Sequence, residues 1–353
     1  MLVLSIFVYK YQGISQEKST INEEVDYLVN ARSSTNVTLR QLAQKSQMKI
    51  GTSVLIEPLR KDAKYREVLA REFNTLTPEN AMKFGKLSQE RGNYNFADAD
   101  DIVAFAQDHQ MQVHGHTLVW YRNLPNWFKD RQFSRQELMD ILQKHIYTVV
   151  GRYQGKVNSW DVVNEAVNKD GSFRDSIWLK TIGSEYIEMA FRWAHEANPN
   201  ARLFYNDFEA EDLGKKSDTI YNLVKELRRK NVPIHGVGFQ MHTSIKKPPN
   251  YAEVAANIRR LNELKLEVKI TEMDVKIHNQ PVAVTLAEQA KVYENITRIC
   301  LAAPNCNTLT TWGLSDRFSW IPIFYKSPDA PLLFDQNYQP KPAYYAVAKI
   351  VAR

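Results

Sequence analysis

From about residue 48 onward, eight short apolar, β-rich runs alternate with longer stretches of helical period. That alternation limits the fold more than any other feature of the chain. The runs are 49–54, 73–77, 112–119, 157–164, 201–207, 235–241, 267–273 and 308–314. Helical patterns lie between them at 99–107, 217–229, 252–264 and 286–301. Ser134-x-x-Glu137 has the form of a capping box and is followed by Leu138, Ile141, Leu142, Ile146 and Val149 at helical spacing. A further helix, carrying Tyr186, Met189, Ala190, Trp193 and Ala194 on one stripe, begins at Ser184 and is stopped by Pro199. Strands separated by helices pair in parallel, and eight of them close a barrel. An open doubly wound sheet would usually carry a glycine-rich phosphate loop after its first strand. Here Ile50-Gly51-Thr52-Ser53 has one glycine and no G-x-G-x-x-G. The expectation is an α/β fold, a single (β/α)8 TIM barrel with its chemistry at the C-terminal ends of strands four and seven.

The length of 353 residues would allow two domains, but no linker, repeat or second compositional block divides the chain. With 44% hydrophobic and 24% charged residues the composition is that of a soluble globular protein, which excludes disorder and collagen-like repeats. No apolar run approaches the ~18 residues needed to span a bilayer. Forty-six basic against 40 acidic residues give a net charge of +6, but the basic residues are scattered, so no nucleic-acid partner is expected. Residues 2–9 (LVLSIFVY) are apolar and then give way to polar sequence, with no A-x-A cleavage site. They sit at the lower limit for a signal core, and a truncated signal or anchor is favoured over a terminal strand. Residues 1–35 are therefore assigned to an N-terminal segment outside the fold, and 36–353 to the barrel.

In such a barrel chemistry gathers where strands end. Strand two delivers Glu79 and Asn80, with Lys83 just beyond; strand three delivers His114, His116 and Trp120. Strand four ends in Asn164-Glu165, strand five in Asn206-Asp207, strand six in Gln240 and His242. Strand seven ends Thr271-Glu272-Met273-Asp274, and strand eight leads into Trp312 and Asp316. Single Asp or Asn residues at such places can be helix caps, and Asn206 and Asp207 are open to that interpretation. Glu165 and Glu272 each end an apolar strand, where a charge is costly to desolvate. Glycosidic bond cleavage needs such a pair, one to protonate the leaving oxygen and one to attack or to activate water. Two unrelated ion pairs remain the alternative. A carboxyl separation of about 5–5.5 Å would imply retention of anomeric configuration.

The motifs Trp160-Asp161-Val162-Val163-Asn164-Glu165-Ala166 and Ile270-Thr271-Glu272-Met273-Asp274 resemble the acid/base and nucleophile motifs of glycoside hydrolase family 10. The resemblance continues through Thr77-Pro78-Glu79-Asn80-Ala81-Met82-Lys83, Gly115-His116-Thr117-Leu118-Val119-Trp120 and Gly238-Phe239-Gln240-Met241-His242. It extends to Thr311-Trp312-Gly313-Leu314-Ser315-Asp316 and Lys341-Pro342-Ala343-Tyr344-Tyr345 in the family's order, from about residue 38 to the C-terminus. Members are retaining endo-1,4-β-xylanases on a (β/α)8 barrel. The resemblance implies Glu165 as acid/base and Glu272 as nucleophile, with xylan or xylo-oligosaccharides as substrate and no cofactor. Asn164 would reach the sugar 2-hydroxyl, His242 would keep Glu272 ionised, and Asp274 would orient His242. Glu79, Asn80, Lys83, His116 and Gln240 would bind xylosyl units on the non-reducing side. Trp120, Trp312 and Trp320 would wall the sugar at the cleavage point. Trp178 and Trp193 sit in helical patterns and are assigned to packing; Trp160 leans the same way and Trp127 stays open.

After Trp120 the family usually continues with His, a small polar residue and Gln, whereas this chain has Tyr121-Arg122-Asn123. Asn123 can replace Gln only with a shorter reach, which puts the adjacent sugar site in question. His114-x-His116 places two imidazoles on one strand face, but no third convincing ligand accompanies them, so no metal is expected. His109, His145 and His195 fall in helical stretches and read as structural. Cys300 and Cys306 flank a short loop before strand eight; family members often bridge this position, and two buried thiols are the alternative. A bridge would favour an oxidising compartment, secreted or periplasmic. The expected state is a monomer. A β-1,4-glucanase or cellulase of mixed specificity, and a non-catalytic carbohydrate-binding barrel, are the competing functions.

Overall fold

The computed structural model describes residues 37–129, 131–278 and 281–353. The segment assigned to residues 1–35 lies outside the described residues.

The strands are β1 (Lys49–Val54), β2 (Thr75–Pro78), β3 (Gln112–Trp120), β4 (Ser159–Asn164), β5 (Arg202–Asp207), β6 (Gly236–Phe239), β7 (His242–Ser244), β8 (Glu267–Lys276) and β9 (Cys306–Thr311). All pairings are parallel: β1 to β6 run in sequence order, β1 also pairs with β9, and β9 with β8. Pairing of β6 with β8 closes the barrel, while β7 is a short continuation that adds to the far end of β8. The eightfold alternation in the sequence therefore corresponds to eight barrel strands, with β7 added at the C-terminal end of β8.

Apolar stripes dictate the helical layer. The helix Arg135–Arg152 begins at Ser134, whose side chain accepts from the Glu137 backbone N–H, and buries Leu138, Leu142, Ile146 and Val149. Only half of the expected capping box forms, because the Glu137 carboxylate turns outward to Arg91. The helices Glu185–Ala197, Lys215–Arg229, Tyr251–Glu263 and Ala283–Ala302 fall within a few residues of their expected spans. Helices the periodicity did not reveal follow the first and last barrel strands: Ile56–Lys61, Ala63–Glu72 and Pro342–Val351. The first two are short and interrupted at Asp62, so neither presents a full amphipathic window.

Strand ends differ from expectation where backbone polar groups are diverted. The run 235–241 does not stay one strand: Met241 adopts φ 63° and its N–H donates to the buried Glu211 carboxylate at 2.7 Å. That break brings Gln240 and His242 to the barrel mouth. At the other end, the interior of β3 admits Trp160 only because Gly115 has no side chain, since a Cβ there would lie 2.2 Å from the indole. Trp160 is fully buried, as are Trp178 and Trp193 nearly so, which places all three in the packing set. Trp127 joins them, with its indole N–H on the Ser88 carbonyl and its ring against Phe84 and Phe128.

Candidate active site

A β-strand alternates its faces with period two, so the inward residues of one strand share parity unless a bulge intervenes. On β4, Ser159 and Asp161 point into the barrel, and so does Asn164; the register shift between Asp161 and Val163 makes this possible. On β8, Lys269 and Thr271 point inward, and a shift between Ile270 and Met273 re-aims the chain so that Glu272 and Asp274 follow them. The two irregularities deliver Glu165 and Glu272 to one cleft.

Beneath the site is a buried polar layer. His114 Nε2 and His116 Nδ1 each lie 2.9 Å from Asp161, one on each carboxylate oxygen. Burial alone would raise the Asp161 pKa, but the two imidazoles outweigh it and hold the carboxyl well below the usual range. Ser159 Oγ accepts from Lys269 Nζ at 2.7 Å and contacts His114 Nδ1 at 2.7 Å. His116, Asp161 and Glu272 bring ligand-type atoms within 4.8 Å of one another, yet each is already engaged by protein groups.

Above this layer β5 and β6 stand between β4 and β8, and their ends link the two glutamates. The Asn206 amide donates to Glu272 Oε1 at 2.8 Å and to Asn164 Oδ1 at 2.9 Å, while its carbonyl accepts from Thr271 at 2.7 Å. Gln240 Nε2 lies 3.2 Å from Glu165 Oε1 and 3.3 Å from Asn164 Oδ1. Asn164 Nδ2 lies 3.3 Å from Glu165 Oε1. Glu165 itself adopts φ 56°, a costly left-handed conformation for a residue with a Cβ. Its backbone is pinned from both sides: its N–H donates to the Asn206 carbonyl at 2.9 Å, and its carbonyl accepts from Arg174 Nε at 2.8 Å.

Glu272 is buried, and burial would raise its pKa. The hydrogen bond from His242 and the charges of His116 and His242 prevail, leaving it below the ordinary carboxylate value. His242 Nε2 sits 3.2 Å from Glu272 Oε2 and Nδ1 sits 2.8 Å from Asp274 Oδ2, which also accepts from Trp320 Nε1 at 2.9 Å. Burial would lower the His242 pKa, but the Asp274 charge and both hydrogen bonds lift it well above normal. The imidazole is therefore a cation that donates to both carboxylates.

The surrounding cleft encloses about 600 Å³ and is lined by the other expected residues. Glu79 accepts from Ser53 Oγ at 2.8 Å, and burial pushes its pKa up. Lys83 Nζ donates to Asn80 Oδ1 at 3.0 Å and lies 5.1 Å from the Trp120 ring. Trp312 meets His116 edge-on, ring centres 5.1 Å apart, and Trp320 meets His242 at 5.3 Å. The structure brings together every expected site residue except Asn123, which is exposed, at φ 53°, and outside the cleft lining. Its carbonyl accepts from the Gly85 N–H at 2.7 Å, and Tyr121 and Arg122 face the cleft instead. Asp207 and Asp316 also lie outside the lining. Asp207 pairs with Lys216 at 2.7 Å, and Asp316 with Lys341 at 2.8 Å, both inside the protein, so they anchor loops. Cys300 and Cys306 form a disulfide with Cα atoms 4.9 Å apart.

Sequence reasoning missed two contributors. Asn206 was open to reading as a cap but is the bridge between the glutamates. Asp161 stands inside a quoted motif without an assigned role, and a lone charge within the apolar run of β4 was the available signal.

The pattern described as Glycosyl hydrolase family 10 matches residues 38–350. The chain belongs to this family. Endo-1,4-beta-xylanase B from Thermotoga neapolitana is 45% identical over 326 residues, spanning 92% of this chain and 94% of that protein. Exoglucanase XynX from Acetivibrio thermocellus is 38% identical over 317 residues, covering 86% of this chain and 29% of that longer protein. The crystal structure of xylanase 10B from Thermotoga petrophila RKU-1 in complex with xylobiose superposes with a TM-score of 0.88 at 46% identity, over 90% of this chain and 98% of that one. The family-10 chain is thus a glycoside hydrolase on a closed parallel barrel, as the motifs led one to expect.

Proposed function

We propose that this family-10 hydrolase is an endo-1,4-β-xylanase that cleaves internal bonds of xylan and xylo-oligosaccharides with retention of configuration. The observation that carries the reading is the pair of glutamates at the mouth of the barrel: Glu272 ionised under His242 and Asn206, and Glu165 facing the same cleft from β4. Glu165 protonates the glycosidic oxygen as the C1–O bond breaks, while a Glu272 oxygen forms a bond to C1. Glu165, now a carboxylate, then takes a proton from water, whose oxygen attacks C1 and releases Glu272. Asn164, held by Asn206 and Gln240, is placed to bind the 2-hydroxyl as charge develops on the ring. Glu79, Asn80, Lys83, His116 and Gln240 bind the non-reducing side, and Trp120, Trp312 and Trp320 stack on sugar faces and exclude water. The test is reducing-sugar release from xylan together with NMR of the first-formed product from an aryl β-xylobioside. A β-anomer is expected; a pure protein inactive on both substrates overturns the reading, and an α-anomer overturns the assignment of Glu272 as nucleophile.

The similarity to a protein named exoglucanase supports a second reading, hydrolysis of β-1,4-glucan. The ratio of xylan to cellulose hydrolysis separates the two, because a 5-hydroxymethyl group must fit beside Trp312 and Trp320. Export to an oxidising compartment is part of the proposal, supported by the Cys300–Cys306 bridge and the apolar residues 2–9. Among the described residues, no helix is long and apolar enough to cross a membrane. Action as a monomer completes the proposal.

A further inference from the structure

We propose that Arg122, set on Tyr121 and backed by Arg174, is a carboxylate-binding shelf at the cleft rim that recruits uronic-acid side groups carried on a xylan backbone. The proposal rests on the xylanase reading above and adds to it an acidic substrate class.

The shelf begins where β3 ends. Trp120 walls the cleft, and the next two residues line it as well. The Arg122 guanidinium carbon lies 5.2 Å from the centre of the Tyr121 ring and its Nε donates to the Tyr121 hydroxyl at 2.7 Å. Arg174 lies 4.5 Å from the same ring centre. Two cations therefore flank one aromatic ring beside Glu165, the group that faces the leaving oxygen. Arg174 is held in place by the Glu165 carbonyl, so half of the positive shelf is ordered before any ligand arrives.

Arg122 is exposed, and among the described residues it has no carboxylate partner and no bond from its two terminal nitrogens. Arg60, Arg91, Arg135, Arg152 and Arg202 each meet an Asp or Glu, whereas Arg122, like the exposed Arg131, Arg228 and Arg259, meets none among the described residues; of these unpaired cations only Arg122 lines the cleft. A guanidinium held through its Nε, with its outer edge open, presents two parallel N–H groups, the geometry that fits a carboxylate bidentately. The cleft lining is mixed in charge: Glu79, Glu165, Glu272 and Asp274 stand beside Lys83, Lys276 and the His242 imidazolium, which suits a neutral xylosyl backbone. The open guanidinium edge lies at the rim, and a uronic acid branching from a backbone sugar would place a carboxylate there. This also accounts for the departure at Tyr121-Arg122: the pair directs an exposed cation toward the cleft, while Asn123 turns away.

The test compares kcat/KM for the wild type, Arg122→Gln and Arg122→Lys on a glucuronoxylan and on the same polymer with its carboxyl groups reduced to alcohols. Linear xylohexaose serves as the reference substrate. The wild type is expected to prefer the acidic polymer, and the preference should weaken at high salt. Arg122→Gln should reduce the preference by about three- to tenfold, the scale of one partly exposed charge-assisted contact. Arg122→Lys should retain part of it. An acidic-to-reduced ratio that is the same in Arg122→Gln as in the wild type overturns the shelf, as does a wild type with no preference. A wild type that fails on xylohexaose as well overturns the xylanase reading itself.

Discussion

Replacing His242 by glutamine keeps a hydrogen-bond donor near Glu272 but removes the positive charge that lies between Glu272 and Asp274. Burial already pulls Glu272 toward the neutral form, and its lowered pKa is the margin by which the imidazolium and His116 prevail. Hydrogen bonds to a charged group contribute about 1.5–3 kcal/mol, and a pKa unit corresponds to about 1.4 kcal/mol, so losing the charge should raise the Glu272 pKa by about one to two units. Glu272 attacks only as a carboxylate, so activity disappears as pH falls through its pKa. The acid limb of kcat/KM against pH should therefore move upward by that amount, with a deficit of about ten- to a hundredfold below the new limb and a smaller one above it. Asp274→Asn acts through the same imidazole. It removes the charge that raises the His242 pKa, so it should move the limb in the same direction, and the double variant should add little to either single one. The assay is a pH series on an aryl β-xylobioside, with circular dichroism to confirm that each variant is folded. An acid limb that stays in place in His242→Gln would refute the claim that the imidazolium keeps Glu272 ionised.

Three further perturbations probe other parts of the molecule. Asn206→Ala leaves Glu272 Oε1 and Asn164 Oδ1 without their shared donor, so kcat should fall by about a hundredfold with little change in KM, measured by steady-state kinetics. Replacing both Cys300 and Cys306 by alanine opens a loop with a sequence separation of 6 and should cost about 2 kcal/mol, read from the shift of a urea or guanidinium unfolding curve. Lys269 is buried beneath the site and burial holds its pKa down at about 7, against 10.5 when exposed, so between those values the unfolded chain binds the extra proton. Wild-type stability relative to Lys269→Met should therefore rise with pH across that window, by at most about 1.4 kcal/mol per unit, and a flat difference in calorimetric or denaturant titrations would contradict it.

What could be read in the sequence and what could not divide along a physical line. Strand count, helix stripes and the two glutamates are local, because they depend on periodicity and on a charge at the end of an apolar run. Lys49–Val54 was placed to the residue, and Arg135–Arg152 was located by Ser134 and its apolar stripe. The helices Ile56–Lys61 and Ala63–Glu72 escape for a local reason, the break at Asp62, and the other failures involve partners far away in the chain. The run through Gln240 breaks because Met241 is held by Glu211, a contact over 30 residues that no window of alternating polarity contains. Asn206 looked like a cap because its partners, Glu272 and Asn164, stand 66 and 42 residues away. The one misdirected site residue is instructive for the same reason. Motif position points to Asn123, yet its backbone is left-handed, its carbonyl accepts from the Gly85 N–H, and it lies outside the cleft lining. The same turn that takes Asn123 away from the cleft leaves Arg122 at its rim. The loop after β3 thus presents a charge at the rim and no amide, and Arg122 hydrogen-bonds to Tyr121, not to the bridge of Asn164, Asn206 and Gln240 that sets the two glutamates.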